Sequence, residues 1–159
     1  MRPSAAPTIN QHRDTMKKLL LTMLLTTLAV PTLAGPGGAE RQQAFKKILL
    51  QFEPMGIVVR GRAPYNKADF IMHADALKQI AGQPFTLFAP NSIDAKSRAK
   101  PEIWSQPAKF QAAKDALLKS VTDLDAAAHN ADLATIRRQY DVVAQSCKNC
   151  HDSFRGPKV

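Results

Sequence analysis

Leu133-Ala134-Thr135-Ile136-Arg137-Arg138-Gln139-Tyr140-Asp141-Val142-Val143-Ala144-Gln145-Ser146-Cys147-Lys148-Asn149-Cys150-His151-Asp152-Ser153-Phe154 lies at the C-terminal end of a 159-residue chain and contains both of its cysteines. Leu133, Ile136, Tyr140, Val143, Cys147, Cys150 and Phe154 follow one another at steps of 3, 4, 3, 4, 3 and 4 residues. That is the seam of an amphipathic helix packed inside a bundle. The two cysteines occupy successive seam positions, so whatever they hold lies in a bundle core. Cys147, Cys150 and His151 stand at i, i+3 and i+4, which brings the three side chains onto one stripe.

The run Cys147-Lys148-Asn149-Cys150-His151 has the form C-x-x-C-H, the pattern of c-type haem attachment. Each thiol can add across a porphyrin vinyl group, and the adjacent imidazole can then bind the iron from one face. Other chemistries use two cysteines at this spacing. A thioredoxin-like couple places its first cysteine at a helix N-terminus after a strand, and no strand pattern precedes this one. A structural zinc site needs four ligands and would have to recruit His73 or His129 from far along the chain. A plain disulfide of an exported protein is the third alternative, and it leaves His151 without a role.

Met16-Lys17-Lys18, the twelve-residue apolar run Leu19 to Val30, and Pro31-Thr32-Leu33-Ala34 form the three parts of a cleavable export signal, with cleavage expected after Ala34. A membrane anchor would need roughly 20 apolar residues. Residues 1–15 add nothing to the signal, and the expected start of translation is Met16, with 1–15 a misassigned upstream extension. Removal of 1–34 leaves 125 residues, 35–159, enough for one domain. The leader takes Arg2, Arg13, Lys17, Lys18 and Asp14 with it, leaving 18 basic and 12 acidic residues, a net +6. These charges alternate singly along the chain, with no arginine-rich run or aromatic platform, which argues against a nucleic acid partner. A solvated surface, or a mildly acidic protein partner, fits them better.

Three further segments have helical periodicity. Between Glu40 and Val59 the residues Phe45, Ile48, Leu49, Phe52, Met55 and Val59 predict one apolar stripe, with a kink at Pro54. Asn66 is a good N-cap for a second helix over 67–81 that buries Phe70, Ala74, Leu77 and Ala81. Ile71, Met72 and Ile80 widen its apolar surface beyond the needs of one core, as a homodimer through the first two helices would require. From Gly82 to Pro101 runs a loop whose Phe85, Leu87 and Phe88 are expected to pack over a cavity mouth. Ser105 is the expected cap of the third helix, with Pro107 in its first turn and a seam of Phe110, Ala113, Leu117, Val121, Leu124 and Ala128. No segment has a period of two, so the fold predicted is all-α, an antiparallel four-helix bundle with the haem in the core beside the C-terminal helix.

The order of motifs resembles the class II cytochromes c, and most closely the cytochrome c′ family. It rests on Cys147 to Asp152 with Phe154-Arg155, Arg41-Gln42 early in the first helix, and Gly61-Arg62-Ala63-Pro64-Tyr65 at its end. Leu87-Phe88-Ala89-Pro90 in the loop and Pro101-Glu102-Ile103-Trp104 before the third helix complete it. The resemblance implies one covalent haem c on Cys147 and Cys150, with His151 as the axial iron ligand. It also implies Arg41, Gln42 and Ser97 close to the haem and its propionates, and Arg155 beside the proximal face. In six-coordinate relatives, the cytochromes c-556, a methionine at the position of Phe45 supplies the second axial ligand. Phenylalanine cannot bind iron, so a five-coordinate, high-spin haem is expected, its distal side screened by Phe45 and Phe88. Met55, Met72 and His73 are the other potential ligands and would give a low-spin electron carrier. The expected function is a periplasmic haem protein, not an enzyme, that binds NO and CO and exchanges single electrons with a periplasmic redox partner. A thiol-disulfide oxidoreductase is the alternative of a different class.

Overall fold

In the computed structural model, residues 37–90 and 92–157 are described; the export signal, its cleavage site and the upstream extension lie outside them. Four long helices and one short one account for most of these residues: α1 Gly38–Val59, α2 Lys67–Ile80, α3 Glu102–Ser105, α4 Pro107–Asn130 and α5 Leu133–Phe154. Among the described residues no strand forms, and the one β-type pairing is an isolated bridge between Ala99 and Arg155. No helix among them is long and apolar enough to cross a membrane.

Local chemistry sets most of the boundaries. α1 begins two residues before the expected start at Glu40, because Glu40 folds back to accept the Gly37 N–H at 2.9 Å. It continues through Pro54 to Val59, with Arg60 at the C-cap, and the chain then turns away at Gly61, whose φ of +69° lies in the left-handed region that favours glycine. Asn66 caps α2 as its position predicts, accepting from the N–H groups of Ala68 at 3.0 Å and Asp69 at 3.4 Å. Asp132 does the same for α5 by accepting from Thr135 at 2.7 Å. The expected cap at Ser105 is not formed. Ser105 closes the short helix α3, and the residue before α4 is Gln106, with no side-chain cap. Pro107 explains both facts, since its ring forces the preceding residue out of the helical region and it has no N–H in need of an acceptor.

α4 and α5 are joined by Ala131 and Asp132 alone, so they run antiparallel, and α2 packs against both α1 and α4. Met55, Leu77, Leu124, Ile136 and Val143 are the largest fully buried nonproline side chains, contributed by all four long helices. Each is worth about 1.5–3 kcal/mol of apolar transfer on burial. Leu49 was expected in this core and is instead 47 % exposed. It lies beside Ile48 on the helix circumference, and the core takes Ile48 and Met55, which turns Leu49 outward. Leu50, Ile57 and Met72 are likewise exposed apolar residues of the first two helices.

Candidate functional site

The N-terminal turns of α1, the 82–101 segment, the start of α4 and the last turns of α5 meet at one end of the bundle. α1 approaches the loop closely because Gly38 is small: a Cβ there would stand 2.5 Å from the Ser97 backbone nitrogen. Asp94 fixes the contact, its carboxylate accepting from the Gly38 N–H at 2.7 Å and from the Lys96 N–H at 2.8 Å. Those bonds, the Gly38 one first, hold the Asp94 carboxyl below its usual range.

Arg41 is almost fully buried, at 4 % exposure, and its guanidinium organises the loop. Nη1 donates to the Leu87 carbonyl at 3.1 Å and to Ser92 Oγ at 2.9 Å; Nη2 donates to the Ser92 carbonyl and to Ser97 Oγ, both at 2.8 Å. The same guanidinium lies over the Phe88 ring, 5.0 Å from its centre. Burial pulls the Arg41 pKa down, against the raising influence of Asp94 and Glu40. The exposed Gln42 donates to the Lys96 carbonyl at 2.7 Å. Arg41, Gln42 and Ser97, singled out separately along the chain, therefore meet in one hydrogen-bonded unit.

An aromatic wall stands beside them. Phe85 lies against Phe45 and Phe110, with ring centres 6.1 and 5.9 Å apart, and Phe110 continues to Phe88 at 5.1 Å and Phe154 at 5.3 Å. Two of these rings went unrecognised as site residues. Phe85 is expected only, with Leu87 and Phe88, to pack over a cavity mouth and Phe110 only to fill a seam position, and nothing in the sequence brings them to one another. Phe45 faces His151, ring centre to ring centre 6.4 Å and interplanar angle 71°.

On α5, Cys147, Cys150 and His151 are half-buried and the two thiols are free. Burial pushes the Cys147 thiol pKa up, helped by neighbouring Cys150, and burial also raises Cys150 against the opposing charge of Arg155. Burial first, and then the charges of Arg155 and Arg98, pull His151 below its ordinary value, so its imidazole is held neutral with a lone pair to offer. Arg155 itself is exposed and caps α5, its N–H donating to the His151 carbonyl at 2.9 Å.

The histidines weighed as zinc ligands are elsewhere. His73 Nδ1 lies 2.9 Å from Gln51 Oε1, and His129 Nε2 lies 2.9 Å from Asp75 Oδ1. Met55 is packed in the core at 1 % exposure and Met72 faces solvent at 56 %. The donor set on α5 thus consists of two thiols and one neutral imidazole on one stripe, with His151 facing the Phe45 ring and the buried Arg41 one turn before Phe45 on α1. Such a set fits a flat, covalently held iron porphyrin with carboxylate edges.

The comparisons agree. Residues 38–155 match the family model described as Cytochrome C'. The chain belongs to the cytochrome c′ family. A curated cytochrome c' of Alcaligenes xylosoxydans xylosoxydans is 36 % identical over 118 residues, 74 % of this chain and 91 % of that one. The cytochrome c' of Rubrivivax gelatinosus is 32 % identical over 123 residues, covering 76 % and 95 %. Among solved structures, a ferrous variant of cytochrome c prime from Alcaligenes xylosoxidans with bound NO superposes with a TM-score of 0.74 at 34 % identity, covering 79 % of this chain and 98 % of that one. A carbon monoxide-bound variant of the same protein superposes at 0.71. The fold is the cytochrome c′ four-helix bundle, and its cofactor is a covalently attached haem c.

Proposed function

We propose that this cytochrome c′ is an exported, five-coordinate, high-spin haem protein that binds NO and CO and carries single electrons, without turning over a substrate. In this reading Cys147 and Cys150 form the thioethers and His151 is the one protein ligand to iron. The observation that carries it is the Phe45 ring facing the His151 imidazole at 6.4 Å. The side chain opposite the ligand is hydrocarbon and cannot be a second one.

When bound, haem supplies an iron that changes oxidation state by one electron and accepts a diatomic ligand. The chain's own residues shape what that iron meets. His151, kept neutral by burial, presents its lone pair without first losing a proton. Phe45 and Phe88, with Phe85 and Phe110 behind them, exclude water and offer no hydrogen-bond donor for the charge that develops on bound O₂. Arg41, Gln42 and Ser97 place a cation and polar groups where propionates would need partners. Arg155 adds positive charge on the side of Cys150 and His151, the face expected to be proximal. Export by the signal at 16–34, cleavage after Ala34 and residence in the periplasm belong to the same reading. So does pairing of two copies through α1 and α2, supported by the exposed Leu49, Leu50, Ile57 and Met72.

A thiol-disulfide role is disfavoured by the thiols themselves. Their pKa values are raised, and reactive redox cysteines have lowered ones. A low-spin carrier would need Met55 to leave the core or His73 to leave Gln51. The test is an absorption spectrum of the purified, reduced protein with and without NO and CO, together with a pyridine haemochrome and an intact mass. One haem per chain, a high-spin spectrum and a shift with both gases are expected. A low-spin spectrum indifferent to either gas would overturn the reading.

A further inference from the structure

At the other end of the bundle a second group of ligand-type side chains converges. Asp75 on α2 and Asp125 and His129 on α4 each offer one ligand atom, all within 4.8 Å of one another. Asp125 and His129 stand at i and i+4, one turn apart on the same helix face. His129 Nε2 lies 2.9 Å from Asp75 Oδ1 and 3.9 Å from Asp125 Oδ1. Asp125 is 5 % exposed, and its two oxygens differ. Oδ2 accepts from Lys78 Nζ at 2.7 Å, whereas Oδ1 is buried with no hydrogen-bond partner. A buried carboxylate oxygen without a donor is costly, and this one is aimed at an imidazole and a second carboxylate.

We propose that Asp75, Asp125 and His129 form a binding site for a divalent first-row transition ion, of which Zn²⁺ is the representative. One imidazole and two carboxylates are borderline donors suited to such an ion, and three protein ligands leave a position for water. Tetrahedral Zn²⁺ with bonds of about 2.0–2.2 Å sets its ligand atoms roughly 3.4 Å apart. The present separations bracket that value, and the half-exposed Asp75 and His129 side chains are free to close the difference. Lys78 holds Asp125 Oδ2 and so fixes the direction of Oδ1, a supporting contact of the kind that orients metal-binding carboxylates. It also offsets one of the two negative charges, leaving the site at −1 with neutral His129, attractive to a dication. Nε2 becomes a ligand by giving up its proton: neutral His129 shifts to the Nδ1–H tautomer, and a protonated ring releases one proton to solvent.

The site lies away from the haem end. The turn after His129 leads directly into α5, and the fourteen helical steps from Leu133 to Cys147 span about 21 Å. An ion here therefore joins α2 to α4 without touching His151.

The experiment is calorimetric titration of the haem-loaded, untagged protein with Zn²⁺ alone, repeated on His129→Ala, Asp75→Asn and the control His73→Ala. One equivalent bound by the parent protein is expected. Affinity should fall at least tenfold in His129→Ala and in Asp75→Asn and stay unchanged in His73→Ala. The haem absorption spectrum should remain constant throughout. His129 and Asp75 are surface-accessible, and a melting curve of each variant verifies that it is folded. Absence of a saturable equivalent, or equal affinity in the parent and in folded His129→Ala, would overturn the proposal.

Discussion

The two halves of α5 have the same periodicity and different interiors. In the first half the seam is sealed from Ile136 onward: Ile136 is 0 %, Tyr140 5 % and Val143 1 % exposed, and Tyr140 stacks on Phe52 with ring centres 4.1 Å apart. In the second half the seam continues at the same spacing through Cys147 and Cys150, yet both, with His151, are only half-buried. Identical helical phase therefore serves two purposes. The sealed half supplies cohesion, and the half-open one presents chemistry to a partner that is not protein. Stability and cofactor attachment should consequently respond to different substitutions.

The largest separation is expected from the double substitution Cys147→Ala, Cys150→Ala. It should abolish covalent haem, seen as loss of the haem mass from the intact protein, while the sealed half keeps its packing residues. Retention of the covalent haem mass would break the division at its centre. The converse change is Leu124→Ala on α4, in the core that the sealed half of α5 packs into, where Leu124 is 0 % exposed. It should cost about 3 kcal/mol in denaturant unfolding, within the 2–5 kcal/mol seen for buried leucines, and leave one covalent haem per chain. A drop in haem content in the folded variant would mean the two halves are coupled after all.

Phe45→Met sharpens the half-open side. A thioether placed opposite His151 should convert the spectrum from high-spin to low-spin and weaken CO binding at least tenfold. An unchanged high-spin spectrum would mean that position 45 does not face the iron. The smallest effect concerns Asp94, which ties α1 to the loop. Its folded pKa lies below the unfolded value of about 3.9, so its stabilisation is present above that pH and is lost as pH falls through the lower folded value. The melting temperatures of the parent and Asp94→Ala should differ by a degree or two at pH 7 and converge as pH falls through the lowered folded value, a small gap because the carboxylate is solvent-exposed. A constant gap across that range would remove Asp94 from the account.

Much of the fold was legible because the relevant signals are local. Asn66 announces its helix within three residues, and the seams of α4 and α5 repeat often enough to fix both phase and length. Where a decision depends on a distant partner, local signals fail. Leu49 and Ile48 are equally apolar neighbours, and only the packing of α1 against the other helices decides that Ile48 turns inward. Ser105 is a good capping residue by composition, but Pro107 two positions later removes the need for a cap. At the candidate site the motif located Cys147, Cys150 and His151, and the family resemblance pointed to Arg41. What Arg41 grips lies 46 to 56 residues away, in carbonyls and hydroxyls of a loop with no periodicity of its own. The meeting of Asp75 with His129 is hidden for the same reason.

The last turn of α5 ends against the segment 98–100. Lys100 donates its backbone N–H to the Phe154 carbonyl at 3.0 Å and its ammonium to the Asp152 carbonyl at 3.0 Å. Arg98 grips the Gly156 carbonyl at 2.7 Å through Nη2, and the Gly156 N–H returns a bond of 2.7 Å to the Arg98 carbonyl. A helix terminus ordinarily frays, and this one is clamped by a strand of chain from the middle of the sequence. The clamp makes the last turns of α5 a stiff mount. A cofactor carried on a stiff mount keeps its place relative to the bundle, so its surroundings depend on the folding of segment 98–100 as much as on α5 itself.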